Sequence, residues 1–345
     1  MRKAFKIWLA VVTFLLLAAV ASAQQTQLPP PPPQQQGPPP KTVIHVGLVH
    51  LVAAVTDRRD KFVTDLTQND FSVAEDGKKQ DITYFARQAD LPLRIGVLLD
   101  TSNSIRLRLH FEQDAAIDFL YNVIRRNRDQ AFVMTFDNEP EVVQDYTDDV
   151  GELSEVIQKQ NAGGGTALND AIYAASQKLV SAPLAAAPNP DIRRVLVVIS
   201  DGDDNLSDHP LSDAIQMADR AGVSIYAISS NNDWTTTDGT SPEKTEKSEG
   251  DKILEEYANE TGGRVFFPYR VDDLAQSFRD IGTELRSQYL VGYPPPYSVL
   301  DGRFHSVDLR VDRKGLTVRS RKGYFAVAPV AAIPGQPGAG ASPQK

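Results

Sequence analysis

The chain has 345 residues, of which 41% are hydrophobic, a formal net charge of −9 and no cysteine. That length and apolar content suffice for one large or two modest domains with a buried core, plus tails. The acidic balance argues against a nucleic-acid binder, whose surface must be basic to neutralise phosphate, and the missing thiols exclude a disulfide framework, a thiolate metal site and a lipid-carrying cysteine.

Residues 1–23 have the layout of a signal peptide: Arg2, Lys3 and Lys6, an apolar stretch from Ile7 to Val20, and the small-residue triplet Ala21-Ser22-Ala23. The apolar stretch is short for a membrane span. The expectation is therefore an exported chain, periplasmic or extracellular, with no membrane span after cleavage. Cleavage would remove three positive charges and leave −9 − 3 = −12. Residues 24–40 are rich in Pro and Gln, which favours hydrated polyproline II and reads as a linker.

Residues 41–90 read as an N-terminal β segment. The runs VIHVGLVHLVAAVTD, KFVTDL, DFSVAED and QDITYFA give about four strands, and Asp76-Gly77 is a hairpin signal. His45 and His50 lie in the first run and are expected to be surface or hydrogen-bonded histidines, because no clustered ligand accompanies them in sequence.

Across residues 91–287 strand and helix patterns alternate, which predicts an α/β domain of βαβ units around a largely parallel sheet. Its first strand, LRIGVLLD, is uncharged from Ile95 to Leu99, as a strand buried on both faces must be, and ends in Asp100, followed by Ser102 and Ser104. A helix follows on Ala116, Phe119, Leu120, Val123 and Ile124. Next come a strand at Ala131–Phe136, an edge strand at Glu141–Asp145 and a short helix around Leu153, Val156 and Ile157. Gly163–Gly165 then lead into Thr166 and a helix on Leu168, Ile172, Ala175 and Leu179. These glycines lack the Gly-Lys-Ser/Thr ending of a phosphate loop, and are expected to permit close backbone approach instead. A second buried strand, Val195–Ser200, ends in Asp201, with Asp203, Asp204 and Asp208 close behind, either as acceptors near a site or as a solvated acidic loop. After a strand at Val223–Ser229, the polar stretch from Ser230 to Gly250, which includes Trp234, suits either a specificity loop or simple disorder. A helix from Ile253, a strand at Val265–Phe267 and an amphipathic helix on Leu274, Phe278, Ile281 and Leu285 complete the domain.

Residues 288–328 form a C-terminal β segment of about four strands, YLVGY, FHSVDLRV, LTVRS and GYFAVA, and residues 329–345 lack periodicity and read as a disordered tail. Each β segment alone is small for an independent core. The two together are expected to form a β-sandwich in which the α/β domain is inserted.

Asp100-x-Ser102-x-Ser104, then Thr166 after a triple glycine, then Asp201 at a strand end resemble, in that order, the metal-ion-dependent adhesion site of von Willebrand factor type A domains. The phrase TDRRDKFVTDLTQNDFSVAEDGKKQ ahead of them is similar to secreted bacterial proteins described as von Willebrand factor A-related. The resemblance implies that Asp100, Ser102, Ser104, Thr166 and Asp201 hold a divalent cation, directly or through water. It also implies that the cation captures an Asp or Glu of a protein partner. An all-oxygen donor set suits Mg²⁺, with Mn²⁺ or Ca²⁺ as substitutes. Asn103 stands where the family often has Gly, a position at which Asn tolerates left-handed backbone better than most residues. The alternatives are a metal-dependent hydrolase and a structural domain with a degenerate site. The chain has no Gly-x-Ser-x-Gly elbow, no His-Glu-x-x-His helix and no second acid two residues after Asp100, so catalysis is not expected. A cation shared by Asp100 and Asp201 requires their strands to be neighbours whose crossovers depart to opposite sides, the switch point of a doubly wound, mostly parallel sheet.

Overall fold

The computed structural model describes residues 48–87, 91–181, 192–231, 247–296 and 301–326. The expected signal peptide, the Pro/Gln linker, His45, Trp234 with most of its polar stretch, and the C-terminal tail lie outside the described residues.

Four strands precede the α/β region: β1 (Val49–Asp57), β2 (Phe71–Glu75), β3 (Lys78–Gln80) and β4 (Tyr84–Arg87). Asp76 and Gly77 join β2 to β3 with φ of +46° and +75°, the two successive left-handed residues of a tight hairpin. KFVTDL, expected as a strand, contributes only one bridge, Thr56 to Phe62. Its polar backbone groups are satisfied individually instead: Val63 N–H donates to Val55 O at 2.9 Å, and Tyr289 Oη accepts from Leu66 N–H at 3.0 Å while donating to Val63 O at 2.9 Å. Despite its β-rich composition, the segment pairs in part with β1 backbone and in part with a buried tyrosine hydroxyl.

The α/β region comprises, in chain order, β5 (Leu93–Asp100), α1 (Leu109–Val123), β6 (Gln130–Phe136), β7 (Pro140–Thr147), α2 (Val150–Gln158), α3 (Leu168–Ser181), β8 (Arg193–Ser200), α4 (Leu211–Ala221), β9 (Val223–Ser229), α5 (Glu249–Thr261), β10 (Val265–Phe266) and α6 (Val271–Ser287). Its six-stranded sheet has the order β10-β9-β8-β5-β6-β7, parallel except for the edge strand β7. Alternate residues of β5 feed two cores. Leu93, Ile95, Val97 and Leu99 meet α1, α2 and α6, while Leu98 joins the core under α3, α4 and α5. Such a strand has no polar face to offer water, which is why its sequence is continuously apolar.

α6 ends at Ser287 and Tyr289 begins β11 (Tyr289–Tyr293), followed by β12 (Phe304–Val311), β13 (Leu316–Arg319) and β14 (Gly323–Phe325). These strands interleave with the N-terminal four in two sheets, β13-β1-β11-β4 and β14-β12-β2-β3. Leu51, Val55, Tyr289 and Val291 of one sheet share a core with Phe71, Val73, Val307 and Leu309 of the other, so the sheets pack face to face as a sandwich. β4 leads toward the α/β region and β11 leads out of it, and they pair antiparallel from Arg87↔Tyr289 to Tyr84↔Gly292. The entry and exit of the inserted region are thus neighbouring strands.

Gly96 lets β5 sit close under its neighbours: a Cβ there would lie 2.5 Å from Phe132 Cζ and 2.6 Å from Leu196 Cδ2. Gly96→Ala should therefore destabilise the protein by about 1–3 kcal/mol through overpacking. Urea unfolding followed by circular dichroism measures this, and an unchanged midpoint would contradict the tight packing of β5.

Candidate metal centre

The pairing of β5 with β8, in register from Leu93↔Arg193 to Leu99↔Ile199, brings Asp100 and Asp201 to the same carboxyl edge of the sheet. The two strands are adjacent, as a shared cation requires. Asp100 is wholly buried and held from both sides: Oδ1 accepts from Ser102 N–H at 2.8 Å and Oδ2 from Ser200 Oγ at 2.7 Å. Beyond it the chain turns through a short 3₁₀ helix, Asn103–Ile105, which aims Ser102 and Ser104 back at β8. The Ser102 and Ser104 hydroxyls lie 2.9 Å apart, and Ser104 Oγ donates to Asp201 Oδ2 at 2.6 Å. Asp201 Oδ1 accepts from Asp203 N–H at 3.1 Å.

Thr166 enters through the glycine loop. Gly163 N–H donates to Thr101 O at 2.7 Å, and Gly164 O accepts from Asn103 N–H at 3.2 Å, so this loop is stitched to the serine loop. Asn205 holds Thr166 from the Asp201 side, its Oδ1 accepting from Thr166 N–H at 3.0 Å. A Cβ at Gly165 would lie 2.4 Å from Leu206 Cδ1 and 2.9 Å from Asn205 Oδ1, so the crowding there is with side chains of the Asp201 loop and not the close backbone approach expected. Thr166 itself is buried between the two loops. Asn103 does not use left-handed backbone: its φ is not positive, and its tolerance of that region plays no part in the loop. Asp204 and Asp208 belong to the start of α3 rather than to the centre. Asp204 Oδ2 accepts from Asn169 N–H at 2.7 Å, and Asp208 N–H donates to Asp170 Oδ2 at 3.0 Å.

Several contributors had no sequence signal. Ser200 reads as the last residue of a strand, yet its hydroxyl fixes Asp100. Gly202, at φ +81°, and Gly250 pack backbone to backbone, since a Cβ on Gly202 would meet Gly250 O at 2.2 Å and one on Gly250 would meet Asp201 O at 2.1 Å. This contact seats the start of α5 against the Asp201 loop. Arg108 donates to Ser104 O at 3.1 Å and to Ser230 O, tying the serine loop to the end of β9. Glu112 of α1 is wholly buried, and neither carboxyl oxygen has a hydrogen-bond partner among the described residues. Burial, reinforced by Asp100 and opposed by Arg108, pushes its pKa well up. A helix-period reading places Glu112 only on a helix, and nothing local says that it faces inward beneath the centre.

The donor set fits a hard divalent cation. Serine and aspartate oxygens converge on one spot, and the negative charge of Asp201 lies close enough to raise the pKa of both Asp100 and Glu112. Burial pushes the Asp100 carboxyl up to about 6, with Asp201 adding to the rise and Ser102 and Ser200 opposing it. A cation there would be held by the convergent oxygens and would supply Lewis acidity toward an incoming anion.

The fold and this edge-of-sheet centre define a doubly wound α/β domain with an oxygen-lined site at the carboxyl edge of its sheet. The von Willebrand factor type A domain pattern matches residues 95–281, more than half of the chain, and the protein belongs to that family. No curated protein matches it. Among solved structures, it is similar to the conserved hypothetical protein BatB from Bacteroides thetaiotaomicron, at 17% identity over 56% of this chain and 97% of that one, with a TM-score of 0.43. It is also similar to a von Willebrand factor type A protein from Catenulispora acidiphila, at 14% identity over 80% and 72% of the two chains, with a TM-score of 0.45. A third is proximal thread matrix protein 1 of the mussel byssus with a zinc-occupied adhesion motif, at 19% identity over 61% of this chain and 49% of that one, with a TM-score of 0.42. Among the described residues no helix is long and apolar enough to cross a membrane.

The raised Asp100 pKa sets a pH dependence. Below about 6 the folded, cation-free protein holds a proton that a cation must displace. Mg²⁺ affinity should therefore rise about tenfold per pH unit up to that value and flatten above it. Calorimetric titration between pH 5 and 8, ~1 unit either side of the turn or more, checks this, and a flat profile would contradict a buried, protonated Asp100.

Proposed function

We propose that the protein is an exported, cation-dependent binding module. In this reading Asp100, Ser102, Ser104, Thr166 and Asp201 hold Mg²⁺, or Mn²⁺ or Ca²⁺ in its place, and the ion captures an Asp or Glu side chain of a protein partner. The observation that carries it is the Ser102–Ser104–Asp201 chain of oxygens, at 2.9 and 2.6 Å, beside a buried Asp100 at the carboxyl edge of the sheet. Only two of those five residues are charged, so a divalent ion keeps an appetite for one more anion wherever a carboxylate binds through water.

Binding rather than turnover is the reading because the chain has no Gly-x-Ser-x-Gly elbow, no His-Glu-x-x-His helix and no second acid two residues after Asp100. Export is supported by the charge and hydropathy layout of residues 1–23.

Asp100→Ala and Ser102→Ala should weaken Mg²⁺ binding strongly, and Thr166→Ala less, because the first two remove donors next to the central strand. Full Mg²⁺ affinity in Asp100→Ala would sink the assignment. The same variants test partner capture. Proteins retained from the host envelope by the intact chain in Mg²⁺ should be released by a chelator and not retained by Asp100→Ala. Retention that ignores both would exclude the adhesion mechanism.

A further inference from the structure

The sandwich holds a second group of ligating side chains, separate from the carboxyl edge of the sheet. β12 alternates exposed and buried residues, and His305 stands in the buried row with Val307 and Leu309. β2 does the same, with Glu75 in the buried row after Phe71 and Val73. Inward rows of a sandwich are normally apolar, so two ionisable residues there need a reason.

His305, Glu75 and Asp76 place one ligating atom each within 4.8 Å of one another. His305 Nδ1 lies 2.9 Å from Asp76 Oδ2 and 3.6 Å from Glu75 Oε1. Tetrahedral Zn²⁺ with bonds of about 2.0–2.2 Å has ligand-to-ligand edges of about 3.3–3.6 Å. The 3.6 Å spacing matches that edge, and the 2.9 Å contact is a direct hydrogen bond that an ion would open by about 0.5 Å.

Each of the three is also held in a ligating attitude by another group. His305 Nε2 faces Asp301 Oδ1 at 3.2 Å; in the tautomer with the proton on Nε2, that N–H donates to the carboxylate and the Nδ1 lone pair faces Glu75 and Asp76. A carboxylate on the far ring nitrogen is the usual companion of a metal-bound histidine. Tyr293 Oη donates to Glu75 Oε2 at 2.7 Å and Tyr324 Oη reaches Glu75 at 3.2 Å. Ser306 donates its N–H at 3.0 Å and its hydroxyl at 3.2 Å to Asp76 Oδ1, leaving Oδ2 toward the histidine. The ring of His305 is further fixed by stacking on Tyr324, with centroids 5.6 Å apart.

In that tautomer the nitrogen lone pair and the two carboxyl groups repel one another unless a positive charge lies between them. That charge is either a proton or a metal ion. A buried glutamate, an imidazole and an aspartate, each braced from behind, with two negative charges to match two positive ones, suit a borderline ion such as Zn²⁺. We propose that Glu75, Asp76 and His305 form a Zn²⁺ site, completed by water, that clips the N-terminal half of the sandwich to the C-terminal half. The ligands come from positions 229 residues apart, on either side of the inserted α/β domain.

The test uses the intact chain carrying Asp100→Ala, so that Zn²⁺ bound at the adhesion centre does not enter the count. Titration with Zn²⁺ alone should show one site, and Co²⁺ should give the visible absorption of a tetrahedral ion. Adding His305→Gln should weaken Zn²⁺ by more than about 100-fold, and adding Asp76→Asn, which retains a residue suited to the left-handed turn, by about 10–100-fold. Circular dichroism separates loss of the site from loss of the fold, and Asp76→Asn keeps the test valid if His305→Gln does not fold. No Zn²⁺ bound in Asp100→Ala, or equal affinity after either substitution in folded protein, overturns the proposal. So does an imidazole ¹⁵N spectrum that shows Nδ1 protonated and unchanged by Zn²⁺, which leaves a proton as the bridging charge.

Discussion

The site depends on one pairing. Because β5 and β8 run parallel and in register, Asp100 and Ser200 emerge side by side, and the Ser200 hydroxyl meets the Asp100 carboxyl at 2.7 Å. Parallel neighbours end at the same edge, so the loops that follow them must share the space beyond it. The serine loop after β5, the Asp201 loop after β8 and the glycine loop before α3 fill that space and hydrogen-bond to one another. Moving either strand by one residue would turn Asp100 or Asp201 to the opposite face of the sheet.

The second constraint is the junction between the inserted region and the sandwich. α6 passes into β11 with a single residue, Gln288, between them. Gln288 is buried in a polar network: Tyr226 Oη donates to Glu284 Oε1 at 2.6 Å, and Gln288 Nε2 donates to both, at 2.8 Å and 2.9 Å. Arg319 of β13 also donates to Glu284. Buried polar groups are costly unless paired, and although Glu284 Oε2, Gln288 Oε1 and Arg319 Nε lack a hydrogen bond among the described residues, the remaining groups pair with one another. Here they fix the end of α6 against the sheet on one side and the sandwich on the other. A second such knot lies at the amino ends of the strands, where Asp129 accepts from Leu93 N–H at 2.9 Å and from Arg286 at 3.0 Å. The helix that closes the α/β region is therefore anchored through charged groups at its last turns, where the two parts of the protein meet.

Much of this was legible in the chain. The uncharged runs of β5 and β8, the helical periods of α1, α3 and α6, and the Asp76-Gly77 turn each state a local preference, and the structure agrees with those preferences. The ordered pieces Asp-x-Ser-x-Ser, Thr and Asp pointed to one edge of the sheet because each follows a strand or a loop whose direction the pattern dictates. KFVTDL is the instructive failure. Its composition suits a strand, but Tyr289, 223 residues from Leu66, takes two of its backbone hydrogen bonds, those of Leu66 N–H and Val63 O.

The sequence by itself determined the alternation of strands and helices, the oxygen-rich character of the candidate site and the presence of β segments at both ends, because each is written in residues close together. Only the tertiary structure decided which strands are neighbours, since hydrogen bonding between strands depends on chain segments about 100 residues apart, as Ser200 and Asp100 are. It alone turned Glu112 inward beneath the centre and brought Glu75 and Asp76 to His305. Alternation could have marked Glu75 and His305 as inward-facing, for they keep step with Val73 and with Val307. That they face each other follows from the pairing Val307↔Glu75 between β12 and β2, a register set by the packing of two sheets and by no residue in either strand alone.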